Sequence, residues 1–304
     1  MITNKKIKKI TDASIIVAIY IVFLLISKIS GLMIEYDLFF IIPIPIVIYS
    51  RKYSIKEALI PFFATLILSF FLTDFLSVLL ILFPGLLCGI IYGGIILNYR
   101  KSDSLAVVIL TFLCVVKEVL VSCVFSSLFG IQNIFFELDE MAKNLSILLK
   151  IQDNDFFFSF FRGIVPSIIF IIAIFESIMI IFLSKLLLKR IKIEKNEKEY
   201  KGFTVPKTIS FLYIGFLLFS PLFLLFINSK NLILSYFSSI FINLVIILMF
   251  LEFYFFYIYF VIKLAVEGKK LLAVLSLLLG LILMPISGAL GAILHIFSFE
   301  KKNR

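Results

Sequence analysis

Tryptophan is absent from this 304-residue chain, histidine occurs once and cysteine three times. One histidine cannot build a two-histidine zinc site, and Cys88, Cys114 and Cys123 form no CxxC pair. All three cysteines fall inside apolar segments, where they read as small buried residues. The GxxxxGK(S/T) phosphate loop, the HExxH zinc motif and the GxSxG nucleophile elbow are all missing. The sequence therefore carries no catalytic constellation, calls for no cofactor and no metal, and is not read as an enzyme. Work driven by ATP would need a separate ATPase. Charge is sparse as well, at 16% of residues.

What is there instead is apolar surface. Hydrophobic residues make up 62% of the chain and the mean hydropathy is +1.17, more than one soluble core can bury. The expected fold class is an all-α polytopic transmembrane bundle of about eight to nine segments. They lie near 10–33, 37–50, 55–73, 75–98, 104–129, 157–188, 208–227, 232–262 and 271–298. The formal charge of +10 reads as loops obeying the positive-inside rule, not as a nucleic-acid surface. Lys5, Lys6, Lys8 and Lys9, then Arg51, Lys52 and Lys56, then Arg100 and Lys101 fall on one side if every segment crosses. So do the seven bases of 189–207, against three acids. The opposite side holds Glu35, Asp37, Asp74 and the loop 130–156, with five acids and two bases. The N-terminus is thus expected in the cytoplasm. The break "LMPISGALG" (283–291) leaves the last segment as one crossing or a hairpin; a single crossing is the adopted reading.

"YDLFFIIPIPIVIYSRKYS" (36–54) is too short for a comfortable helical span and carries Pro43 and Pro45. Each lacks an N–H and disfavours helix in the residue before it. The expectation is a partly unwound crossing with extended backbone, which covers about 3 Å per residue. Such a break needs protein or a water-lined cavity to satisfy its freed carbonyls.

Two helices have distinctive faces. Gly85, Gly89 and Gly93 recur every four residues and permit close backbone approach; Ser14 and Ala18 form a weaker pair in the first helix. In the fifth segment Thr111, Cys114, Glu118, Ser122 and Ser126 draw a polar stripe along an apolar helix. A carboxylate at mid-membrane costs about 2.5–3.5 kcal/mol on insertion scales, so Glu118 needs a partner. Lys117 is adjacent, but consecutive side chains diverge by about 100°, which points to Arg162 or Lys28 instead. Glu176 and Glu252 lie deeper in their segments. His295, near the end of the last helix, reads as an interfacial residue.

The order of these features carries a resemblance. A basic N-terminus leads to a small-xxx-small helix, then "IEYDLFF", the short proline segment, and a basic turn "YSRKYSIKEAL". This layout is similar to the S components of energy-coupling-factor transporters over about residues 10–190. The whole chain looks most like the YybS-like family of bacterial membrane proteins. Ser50, Arg51 and Ser54 stand where S components often have Gly, Pro and Gly. The resemblance implies an S-component-like unit at 1–190, a basic cytoplasmic linker at 191–207, and added helices at 208–304. It implies a multi-pass protein of the bacterial inner membrane that binds a small molecule near Lys28, Glu35, Glu118, Gln132, Asn133 and Arg162. Its Ser14/Ala18 face would pack on a transmembrane coupling subunit served by separate ATPases. The competing reading is a scaffold or regulatory partner that transports nothing, holding proteins or anionic lipid through the glycine face and the 189–207 loop.

Overall fold

In hydrocarbon, a long apolar run satisfies its backbone N–H and C=O groups only by bonding within itself. The computed structural model describes residues 2–30, 33–97, 103–129, 133–149, 154–193, 207–226, 232–253 and 268–298, with Val261 and Leu264. It is helical throughout, with no strand among the described residues. Helices α1 (Ile2–Ile29), α2 (Met33–Asp37), α3 (Pro43–Lys52) and α4 (Ile55–Leu72) come first. A helix with two π-helical stretches, α5 (Phe75–Leu97), follows. Next is α6 (Asp103–Glu118), which continues as π-helix over Val119–Val124. The rest are α7 (Ile134–Leu149), α8 (Asn154–Gly163), α9 (Val165–Arg190), α10 (Lys207–Phe226), α11 (Leu232–Glu252), α12 (Lys270–Ile282) and α13 (Met284–Ser298).

Five described helices are long and apolar enough to cross a membrane, or six if the bent pair Leu271–Gly280 and Met284–Ile296 is one span. Two more apolar stretches, Thr208–Leu224 and Phe237–Glu252, are shorter. The last segment is therefore not one straight crossing but a bent helix pair, a broken span or a re-entrant hairpin. It bends by 115° where Pro285 opens α13 and cannot supply an N–H to the preceding turn.

The chain forms two compact units. The first comprises Met1–Asn133 and Ile172–Gly202; the second comprises Ile134–Ile171 and Phe203–Arg304. The acidic loop helices α7 and α8 thus belong with the C-terminal helices, whereas a simple break at 190 would group them with the N-terminal ones. Residues 194–206 of the basic linker lie outside the described residues.

Within the first unit the proline segment departs from its extended expectation. Phe39–Ile41 form a 3-10 turn and α3 begins directly at Pro43. Both prolines fall in the first helical turn, where backbone N–H groups have no intrahelical acceptor anyway, so neither costs a hydrogen bond. The glycine row of α5 receives this segment. A Cβ at Gly85 would sit 2.6 Å from Ile42 Cγ2, one at Gly89 2.6 Å from the Pro43 carbonyl oxygen, and one at Gly93 2.7 Å from Val47 Cα. The face read as a docking surface for another protein is filled from within the chain.

The other side of α3 is fixed to α1. The buried Tyr20 hydroxyl donates to the Ile42 carbonyl at 2.6 Å, and Tyr49 donates to the Lys9 carbonyl at 3.1 Å. Asp12 accepts hydrogen bonds from Lys52 and Tyr53, while Lys9 pairs with Glu57 at 2.7 Å. Tyr20→Phe removes the second donor from the Ile42 carbonyl, which as N-cap of the proline helix keeps its first intrahelical bond. It should lower stability by about 0.5–1.5 kcal/mol, read as a fall in Tm of the detergent-solubilised protein.

In the second unit, Tyr213, Val245, Leu248 and Ala292 form a core joining α10, α11 and α13. Asn243 on α11 mends the break between α8 and α9: its Nδ2 donates to the Gly163 carbonyl at 2.6 Å, and its Oδ1 accepts from the Ser167 N–H at 3.0 Å.

Candidate functional site

The polar stripe of α6 faces the interior of the first unit: Thr111, Cys114, Glu118, Ser122 and Ser126 are all buried. Thr111 meets Ser177 of α9 at 2.9 Å, and Cys114 lies against Cys88 and Glu176. At the centre is Lys117, whose side chain is 0% exposed. Its ammonium donates to Glu118 and, at 2.7 Å, to Glu176 Oε1. It also lies 4.2 Å from the Phe39 ring centroid and 5.3 Å from that of Tyr36, within reach of a cation–π attraction. Glu118 Oε2 accepts from the Tyr36 hydroxyl at 3.0 Å and from Ser122 at 3.1 Å.

The expectation that Lys117 and Glu118 diverge is thus overturned. Their Cβ atoms do leave the helix in different directions, but a flexible four-carbon stem carries the ammonium back. The short helix α2 explains why the aromatic wall is here. It ends before the 3-10 turn, so Tyr36 and Phe39 both reach the site from beside the proline helix.

The chemistry of this cluster follows from its charge. Two carboxylates and one ammonium leave a net charge of −1 when all are ionised, inside an apolar unit where unbalanced charge is costly. Glu176 Oε2 is buried and has no hydrogen-bond partner, so one acceptor of the cluster is unused. The site is suited to take a proton, or a ligand group that donates a hydrogen bond or carries positive charge. No group of three or more His, Cys, Asp or Glu suited to a metal occurs among the described residues.

The remaining predicted residues are dispersed. Lys28 donates to the Leu72 carbonyl at 3.0 Å, closing the end of α4. Glu35 is fully buried and accepts from the Ser77 hydroxyl, and burial pushes its carboxyl above the ordinary carboxylate range. Asn133 donates to the Cys123 carbonyl at 3.1 Å. Gln132 lies outside the described residues. Arg162 belongs to the second unit, where it makes a two-pronged pair with Asp139 at 2.9 and 2.6 Å. Ser14 and Ala18 are exposed and line a groove of about 590 Å³ between α1 and α4, with Lys9, Glu57, Pro61 and Leu68. Sequence reasoning missed Lys117 and the role of Glu176. The available signal is a lysine inside a long apolar run, next to Glu118.

A family model described as "Predicted membrane protein (DUF2232)" matches residues 14–294. No curated protein and no solved structure matches the chain.

Proposed function

The chain belongs to the DUF2232 family of predicted membrane proteins, and on that premise we propose that it is a small-molecule-binding component of an uptake system, without an ATPase of its own. The observation that carries this reading is the buried Lys117–Glu118–Glu176 cluster with its unused acceptor at Glu176 Oε2. Ionisable groups are expensive in an apolar bundle, and one left short of a partner is better accounted for by a ligand than by packing. The layout similar to S components supports the same view, as does the exposed Ser14/Ala18 groove where a coupling subunit would pack. Loop charges support about eight to nine crossings in a bacterial inner membrane with the N-terminus in the cytoplasm.

The test is a thermal-shift screen of the purified protein across vitamins and nucleobases. A binder present at about a hundred times its Kd contributes about 2.7 kcal/mol to the folded state, a readable rise in Tm. Glu176→Gln keeps the shape of the side chain and should abolish that rise. If no compound shifts Tm and no coupling module co-purifies, the uptake reading fails and the scaffold reading takes its place.

A further inference from the structure

The second unit contains a polar cluster that the proposed function does not use. Ser210 of α10, Glu252 at the end of α11 and His295 of α13 are buried, at 0%, 0% and 1% exposure. The Ser210 hydroxyl lies 2.8 Å from Glu252 Oε1 and 2.5 Å from His295 Nδ1. Glu252 Oε2 is buried with no hydrogen-bond partner. The imidazole is therefore held in the interior by two other helices, whereas its place near the end of an apolar run suggests an exposed position. Tyr213, one turn along from Ser210, donates to the Pro285 carbonyl at 3.3 Å. Its phenol lies close enough to feel the charge of Glu252.

We propose that Glu252, Ser210 and His295 form a proton-binding relay in the second unit. A serine hydroxyl has one proton and two neighbours here, so it cannot donate to both. When it donates to Glu252, the Nδ1–H of a protonated His295 donates to Ser210 and the pair is Glu⁻ and His⁺. When the Nδ1 proton passes to the Ser210 oxygen and the Ser210 proton passes to Glu252 Oε1, both end groups are neutral. The hydroxyl bond broken on one side is remade on the other, so no atom or charge is lost and the heavy atoms need not move. The neutral form answers the cost of burying ions, and the charged form answers their mutual attraction. A proton that binds to the form with Glu⁻ and neutral imidazole is then shared between the two ends through the Ser210 hydroxyl, so the site takes up, holds and passes a proton.

Because the chain has one histidine, ¹⁵N-histidine labelling of the full-length protein in nanodiscs yields the imidazole signals of His295 alone. A relay predicts that these signals titrate with pH, and that Glu252→Gln lowers the proton affinity of the imidazole at least about tenfold. Ser210→Ala should remove the response of the imidazole to Glu252, and Ser210→Thr, which keeps the hydroxyl, should retain it. If Ser210→Ala does not fold, Glu252→Gln decides the matter, since its amide still bonds to the hydroxyl. An imidazole locked in one neutral tautomer wherever the protein stays folded would overturn the proposal. So would a titration that is the same in wild type and Glu252→Gln. Neither result bears on ligand binding at Lys117, so the two readings fail independently.

Discussion

Lys117→Met should destabilise the protein by about 3–5 kcal/mol, the range for removing one partner of a buried ion pair. The loss does not come from packing, because methionine nearly matches the apolar stem of lysine in length. It comes from leaving Glu118 and Glu176 facing each other in the first unit with no cation between them. Glu118 retains the hydroxyls of Tyr36 and Ser122. Glu176 keeps the Cys114 thiol, a weak donor, and already carries an idle oxygen. The triple variant Lys117→Met, Glu118→Gln, Glu176→Gln removes charge of both signs and should recover most of the loss, as replacement of entire buried ion clusters often does. Denaturant or thermal unfolding in detergent reads both. Equal stability of the single and triple variants would mean that the cluster is not held by charge balance.

Gly93→Ala should cost about 1–3 kcal/mol through overpacking, and Gly93→Leu more. A methyl group there would meet Val47 Cα and the Val47 carbonyl oxygen, each at 2.7 Å, as well as Ser50. Backbone atoms cannot rotate away, so α3 would have to lift off α5. Gly85→Ala meets side-chain atoms, Ile42 Cγ2 at 2.6 Å and Cβ at 3.1 Å, where Gly93→Ala meets backbone, and should be milder. At Gly215 on α10 an added methyl would have nothing within 4 Å, so Gly215→Ala should be neutral or slightly stabilising, given the better helix propensity of alanine. A Tm series over these three positions checks the ranking. Equal effects at Gly93 and Gly215 would remove close packing as the cause.

Spacing makes much of this legible. The four-residue repeat of Thr111 to Ser126 marks a buried face because period and helix agree, and the Gly85–Gly93 row marks a close approach. What spacing cannot give is the partner in each case, since that depends on how distant segments meet. The row is met by the proline helix of the same unit, and the stripe by α2 and α9. Pro43 and Pro45 mislead because a proline breaks a helix only beyond its first turn, and no side-chain cap marks the start of α3. Lys117 misleads because direction at Cβ says little about where a long side chain ends. His295 misleads because nearness to the end of an apolar run is not the same as shallow burial. Its buried position follows from the 115° bend before α13, which no periodicity announces.

The ten-residue α3 has a consequence for how the protein is made. At about 1.5 Å per residue it covers roughly half of a bilayer core about 30 Å thick, so it cannot be inserted as an independent span. The glycine notches that receive it lie on α5, which is synthesised only after α3 and all of α4 have left the ribosome. Synthesis order and docking order therefore run in opposite directions. The proline helix therefore has no seat until α5 has been made.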